Sequence, residues 1–212
     1  MSVRKVVTRR SCHFRGYFPS LKNGKPTPWE SQLEGGFFRL LELSPQVHSY
    51  TIQPSREIVS LDSATIKYFP DLHVFLTDGR EWWFEVKPKK RLLIASIDQR
   101  LEAAKAHFAA SNRNFTVVTN DLIHSEPLAR NLQKLMYHRR GPMLSTSQVD
   151  EVRELLHTHE PKTLSALITT FGDMEAWRLL GLGIVGISLG ETISSNSEVF
   201  LTGGHRHADF FA

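Results

Sequence analysis

The sequence predicts a mixed α/β domain followed by a smaller unit of three helices and a β-hairpin. In residues 27–142, segments rich in β-branched and aromatic residues, which are typical of strands, alternate with segments of helical periodicity. After Gly141-Pro142 the pattern changes to three helical segments and then two short apolar strands. We therefore expect a basic arm at 1–26, an α/β domain at 27–142 and a second domain at 143–212.

The first helix is predicted over residues 27–45. Thr27 is a candidate N-cap, Pro28 suits the first helical position, and Glu30 completes a capping box, which leaves Glu34 without a local partner. The apolar positions recur at helical spacing and form one stripe, which consists of Leu33, Phe37, Leu40 and Leu41.

Two glycines, Gly35 and Gly36, lie in the middle of this helix, where each costs about 1 kcal/mol relative to alanine. They suggest that another backbone or a ligand approaches the helix closely at this point.

The rest of the α/β domain is predicted to contain short strands, a hairpin with Asp78-Gly79 as its turn signal, and then helix, strand and helix. The predicted segments are strands at 47–54, 57–61 and 65–69, the hairpin at 71–87, a helix at 94–112, a strand at 114–123 and a helix at 126–140.

The second domain, with three helices and a β-wing, has the pattern of a winged-helix domain. Its candidate recognition helix has one basic residue, Arg178, against Asp173 and Glu175. Residues 145–212 contain four Lys/Arg and nine Asp/Glu, a net charge of −5 that opposes a polyanion. We therefore expect this domain to dock a protein.

Composition limits the class of protein. The chain is 41% hydrophobic and 23% charged, which is ordinary for a folded domain. Its longest apolar run, residues 179–190, is too short for a bilayer span, and the N-terminus lacks the apolar core of a signal peptide. The single cysteine, Cys12, favours a reducing cytoplasm.

The N-terminal arm is basic, with seven Lys/Arg and no Asp/Glu in residues 1–25. Such a segment suits DNA phosphates through charge neutralisation, and Arg4, Lys5, Arg9 and Arg10 are the candidate contacts. A solvated tail is the alternative, since basic termini are common.

The hairpin carries the candidate catalytic residues. Side chains alternate along a strand, so Glu85 and Lys87 share one face, whereas Trp82, Phe84 and Val86 share the other. The register decides whether Asp71 joins the first pair. A two-residue turn would place Asp71 opposite Val86, whereas a three-residue loop of Thr77, Asp78 and Gly79 places it opposite Glu85.

We favour the three-residue loop because two neighbouring carboxylates and a lysine form a chemically meaningful set. The carboxylates would repel one another unless a divalent cation lay between them. Such a cation can activate water, and Lys87 can neutralise charge that develops on a phosphate. The alternative is an exposed hairpin with a solvated Glu-Lys edge.

This set resembles the catalytic core of the restriction-endonuclease-like nucleases. The segments "WESQLEGGFFRLLE", "VHSYTIQP", "YFPDLHVF" and "FEVKPKK" also occur in the order found in the TnsA family, the endonuclease subunits of heteromeric bacterial transposases. The resemblance is strong over residues 1–140. It implies a restriction-endonuclease-like mixed sheet flanked by helices, followed by the small winged-helix-like domain.

The resemblance also implies the site residues. The family's catalytic positions are matched by Glu34, Asp71, Glu85 and Lys87. Its metal-binding positions are matched by Glu34, Asp71, Glu85 and Val86. The expected cofactor is Mg²⁺, with Mn²⁺ as a substitute. Some relatives have glutamine where this chain has Glu85. Lys89, Lys90 and Arg91 follow the site and suit DNA phosphate contacts.

The implied function is nicking of the non-transferred strand at transposon ends in a bacterial cytoplasm. The implied partners are double-stranded DNA, an integrase-like (TnsB-like) transposase and an ATPase regulator (TnsC-like), with no membrane. The alternatives are a free-standing restriction- or repair-type nuclease and a catalytically silent adaptor. The complete set of candidate catalytic residues argues against the adaptor.

Overall fold

The computed structural model describes residues 15–208 and residue 211, which divide into two compact units. The first contains residues 15–42, 46–125 and Phe211, and the second contains residues 43–45 and 126–208. The predicted domain boundaries stay predictions, but the helix predicted at 126–140 groups with the second unit.

The first unit is built on a mixed four-stranded sheet of order β3-β6-β7-β8. Strands β3, β6 and β7 are antiparallel neighbours, and β8 runs parallel to β7. Two further antiparallel hairpins consist of β1 with β2 and β4 with β5. The strands are β1 Gly16–Ser20, β2 Lys25–Trp29, β3 Val47–Ile52, β4 Glu57–Leu61, β5 Ala64–Tyr68, β6 Leu72–Leu76, β7 Glu81–Val86 and β8 Asn114–Val118. The helices are α1 Gln32–Leu43, α2 Lys89–Leu92, α3 Ala95–Ala110 and α4 Asn120–Ile123.

Apolar side chains cover both faces of the main sheet. The ring of Phe84 lies 5.2 Å from that of Phe37 on α1, and both side chains are fully buried. Trp83, the next residue on β7, packs against Phe108 of α3 at 5.7 Å between ring centroids. The alternation of β7 therefore turns Phe84 toward α1 and Trp83 toward α3.

The start of α1 differs from the prediction. Thr27 and Pro28 lie in β2, where Pro28 pairs with Tyr17, and the helix begins at Gln32. The Ser31 hydroxyl accepts a hydrogen bond from the Glu34 N–H at 3.2 Å, so Ser31 is the N-cap in place of Thr27. The predicted apolar stripe is confirmed, because Leu33, Phe37, Leu40 and Leu41 are all buried.

The second unit contains four helices and a short antiparallel pair of strands. These elements are α5 Leu128–His138, α6 Thr146–His159, α7 Leu164–Phe171, α8 Asp173–Gly181, β9 Gly186–Ile187 and β10 Val199–Phe200. Three helices followed by two strands match the predicted order, and the winged-helix assignment stays a prediction. Within the described residues, no helix has the length and hydropathy needed to cross a bilayer.

Candidate active site

The register of the β6–β7 hairpin places Asp71 opposite Glu85. Leu72 pairs with Phe84, and the same register continued by one residue pairs Asp71 with Glu85. The Leu76 N–H donates to the Arg80 carbonyl at 2.9 Å, so the loop consists of three residues. Gly79 has a φ of +86°, which is the left-handed conformation that this loop requires. The register predicted from the sequence is confirmed.

Asp71 is held at the entrance of β6. Its Oδ2 accepts a hydrogen bond from the Val86 N–H at 2.8 Å and lies 3.7 Å from the Lys87 ammonium. Burial, the charge of Glu85 and, more weakly, that of Glu34 raise the pKa of Asp71 well above its usual value, although Lys87 opposes the shift. The charged form of Asp71 therefore needs cationic support.

Glu85 is buried, with 5% of its surface exposed, and has two polar partners. The Tyr68 hydroxyl donates to Glu85 Oε2 at 2.6 Å, and the Lys87 ammonium contacts Glu85 Oε1. Burial and the adjacent charge of Glu85 raise the pKa of Tyr68, so the phenol stays protonated and remains a donor. No local sequence pattern indicates a role for Tyr68, because its contact with Glu85 is created by tertiary packing.

Lys87 lies beside both carboxylates. Burial alone would lower its pKa, but the charges of Asp71 and Glu85 outweigh that effect and raise it. Lys87 is therefore a permanent cation at neutral pH, and Asp71 and Glu85 share its ammonium group.

Glu34 differs from expectation, because it has a local structural role. The Ser31 hydroxyl donates to one of its carboxylate oxygens at 2.9 Å and the Glu30 N–H donates to the other at 2.9 Å. Ser31 is thus the N-cap, and Glu34, in place of Glu30, is the glutamate that completes the capping interactions of α1. Burial raises the pKa of Glu34. Its charge acts on Asp71 and Lys87, but its hydrogen bonds within the described chain serve the helix cap. Its catalytic role stays a prediction.

Glu30 in turn accepts a hydrogen bond from Gln53 Nε2 at 3.2 Å and pairs with Arg15 at 3.4 Å. Both Glu30 and Gln53 border a cleft of about 490 Å³ that contains Asp71, Glu85 and Lys87. The remaining residues of its wall are Lys67, Tyr68, Phe69, Ser96, Ile97, Arg100 and Leu101.

The predicted DNA-binding residues fall into two groups. The first group consists of Lys89, Lys90 and Arg91, which lie in α2 shortly after Lys87 and are all exposed. Lys89 pairs with Asp121 at 2.5 Å. The other group consists of Arg4, Lys5, Arg9 and Arg10, which lie outside the described residues, as does Cys12.

The donor chemistry of the cluster fits a divalent cation. Two opposed carboxylates, one with a strongly raised pKa, repel one another, and hard cations such as Mg²⁺ take carboxylate and carbonyl oxygens as ligands. Val86 can contribute only its main chain. Among the described residues, no three His, Cys, Asp or Glu side chains are already grouped in the manner of a metal site. Metal binding therefore stays a prediction that the donor set supports.

A mixed sheet flanked by helices, with these residues on one hairpin, fits a restriction-endonuclease-like core. Residues 44–120 match the family model described as TnsA-like endonuclease N terminal. This match supports a TnsA-like endonuclease, and the resemblance found in the sequence is confirmed. The matched segment includes Asp71, Glu85 and Lys87, whereas Glu34 precedes it. No curated protein matches the chain.

Proposed function

We propose that this chain is the Mg²⁺-dependent endonuclease subunit of a transposase and nicks the non-transferred strand at transposon ends. The observation that carries the proposal is the contact of Lys87 with opposed Asp71 and Glu85, inside a cleft of a TnsA-like endonuclease domain. Isolated ion pairs are common on protein surfaces, but buried carboxylates with a raised pKa are typical of functional sites.

The side chains of the cluster have separate roles in phosphodiester hydrolysis. A water oxygen forms a bond to phosphorus while the bond to the leaving sugar oxygen breaks, and that oxygen takes up a proton. Lys87 neutralises the negative charge on the phosphoryl oxygens. Tyr68 fixes the orientation of Glu85, and the Val86 N–H fixes that of Asp71. Mg²⁺, when held by Asp71, Glu85, Glu34 and the Val86 main chain, would supply Lewis-acid stabilisation of the reacting phosphate.

The proposed partners follow from the family. An integrase-like, TnsB-like transposase would cut and join the transferred strand, and double-stranded DNA at the element ends would be the shared substrate. A TnsC-like ATPase regulator would dock on the acidic segment at 145–212, whose net charge of −5 suits a basic partner.

The test is a reconstituted transposition reaction with Asp71→Ala and Lys87→Ala. Each variant should lose the nick on the non-transferred strand while the partner's strand cut and joining persist, leaving donor and target DNA fused. Asp78→Ala and Lys105→Ala are matched controls, because both residues are exposed and lie outside the cleft. They should give normal excision.

Two outcomes would contradict the proposal. Double-strand breaks at the element ends with Asp71→Ala or Lys87→Ala would remove the nuclease assignment. Loss of both strand cuts in an assembled complex would show that the division between the two subunits is different.

A further inference from the structure

Three cationic residues line the cleft, which are Lys67, Lys87 and Arg100. The proposed chemistry uses Lys87 and leaves the other two without a role. Lys87 is paired with Asp71 and Glu85, whereas neither Lys67 nor Arg100 has an ion pair or side-chain hydrogen bond within residues 15–208. Two cations beside a carboxylate cluster are thus left to bind an external anion.

Arg100 lies on the face of α3 that lines the cleft. Helix α3 lines the cleft with Ser96, Ile97, Arg100 and Leu101, and the spacing of these positions places them on one face of the helix. The charge of Arg100 also acts on the Tyr68 hydroxyl, which donates to Glu85. Arg100 therefore lines the same cleft as Asp71 and Glu85, where a bound substrate would lie.

Lys67 enters the cleft from the β4–β5 hairpin. It is the residue before Tyr68 on β5, and its side chain is exposed. The cleft wall thus has a cation from β5 and another from α3.

The chemistry of the pair fits a phosphodiester. A guanidinium binds two phosphate oxygens at once, and an ammonium adds a point charge. We propose that Arg100, with Lys67, binds the backbone phosphate next to the scissile one, and so determines which phosphodiester faces Asp71 and Glu85. This inference rests on the proposed nuclease function and adds the residues that position its substrate.

The first test measures how salt weakens binding of the full chain to a short DNA duplex. Asp71→Asn serves as a non-cutting background. Each lost phosphate contact should lower the slope of log K against log salt by about 0.9. Arg100→Ala should show one such decrease and the Lys67→Ala/Arg100→Ala double variant two. Arg100→Lys should keep the slope, because it keeps the charge.

Lys105→Ala is the matched control, since Lys105 is an exposed cation of the same helix outside the cleft. It should leave the slope unchanged. An unchanged slope in Arg100→Ala, an equal decrease in Lys105→Ala, or no binding by the background chain at low salt would each overturn the inference.

The second test maps the cut in the reconstituted reaction. If Arg100 positions the scissile bond, Arg100→Ala should lower the nicking rate at least tenfold and spread the cut over neighbouring phosphates, and Arg100→Lys should restore part of the rate. A lower rate with unchanged cut position and no rescue by lysine would overturn the positioning role.

The two proposals fail separately. A wild-type complex that never nicks, although Arg100→Ala lowers the salt slope, would remove the nuclease function and keep the phosphate contact. Normal nicking by wild type and by Arg100→Ala alike would remove only the inference about Arg100.

Discussion

Asp71 combines partial burial with a negative charge, and its neighbours compensate for the cost of that burial only in part. The Val86 N–H and the Lys87 ammonium favour the carboxylate, whereas burial and the charge of Glu85 favour the protonated acid. The net effect raises the pKa of Asp71 in the folded chain above its unfolded value. Protonated Asp71 therefore contributes to the stability of the folded chain, and this contribution is lost as the pH rises through the pKa of Asp71 in the folded state.

Asp71→Asn should therefore raise the thermal stability while it abolishes nicking. Asparagine keeps an oxygen that can accept from the Val86 N–H, but it removes the charge that Glu85 and Glu34 repel. The melting temperature should increase by about 2–4 °C for each kcal/mol gained. The gain should be larger at pH 8 than at pH 4, because Asp71 is protonated at low pH and then carries no charge.

Thermal unfolding of wild type and Asp71→Asn across this pH range, with and without Mg²⁺, provides the measurement. Added Mg²⁺ should stabilise wild type more than the variant, since the variant lacks one proposed ligand. Asp78→Asn, an exposed aspartate in the loop of the same hairpin, is the control and should show neither effect. A variant less stable than wild type at pH 8 would contradict the account of Asp71.

The sequence reduced the placement of Asp71 to two registers, because the loop length of a hairpin determines which residues face each other, and the chemistry of the carboxylate pair favoured the correct one. It was insufficient for Glu34, since both Thr27 and Ser31 are good N-caps, each with a glutamate three residues later. The choice between them depends on the pairing of β2 with β1, which no local pattern reveals. Tyr68 is separated from Glu85 by 17 residues and meets it only through packing of the β4–β5 hairpin.

The two neighbouring glycines of helix α1, Gly35 and Gly36, have different surroundings. A Cβ at Gly36 would lie 2.5 Å from Cγ2 of Ile123, a buried residue at the end of α4. A Cβ at Gly35 would lie no closer than 3.7 Å to the Trp29 ring, which is ordinary contact. The sequence predicted a close approach at this pair, and the structure assigns it to Gly36 and to a side chain.

Alanine at the two positions should therefore have opposite effects. Gly36→Ala should lower the free energy of unfolding by about 1–3 kcal/mol, because the added methyl forces Ile123 to move within a packed core. Gly35→Ala should raise it by up to about 1 kcal/mol, because alanine is the better helix former and meets no obstacle. Urea denaturation of both variants is the measurement, and each serves as the control for the other. Effects of equal sign would show that packing around Ile123 does not explain the pair.

The structure assigns residues 126–142 to the second unit, whereas the sequence analysis began the second domain at residue 143. This difference changes the net charge of the second part of the chain. Because the main segment of the second unit begins at residue 126, the unit includes α5, which has basic residues and no acidic one. Residues 126–212 contain eight Lys/Arg and ten Asp/Glu, a net charge of −2, against −5 for residues 145–212. The acidic character on which the protein-docking prediction depends thus belongs to residues 145–212 and not to the whole second unit.

Helix α5 also completes the core of this unit. Its buried face contributes Leu132 and Leu135, and a Cβ at Gly181 of α8 would lie 2.6 Å from the Leu135 carbonyl oxygen, so the two helices cross closely. Asn131 Nδ2 donates to the Leu189 carbonyl at 3.0 Å and to the Glu191 carbonyl at 2.7 Å, and so ties α5 to the segment after β9.

A fragment of residues 126–212 should therefore unfold cooperatively in urea, whereas a fragment of residues 143–212 should not. Without α5, the apolar face of α8 is exposed to water and the Leu189 and Glu191 carbonyls lose their donor. Within the longer fragment, Asn131→Ala should lower the free energy of unfolding by about 1–3 kcal/mol, the range for an unsatisfied buried polar group. Gln133→Ala, at an exposed position of the same helix, should leave it within about 0.5 kcal/mol of wild type. If the 143–212 fragment unfolded with the same midpoint and steepness as the 126–212 fragment, α5 would be dispensable and the second unit would begin where the sequence alone places it.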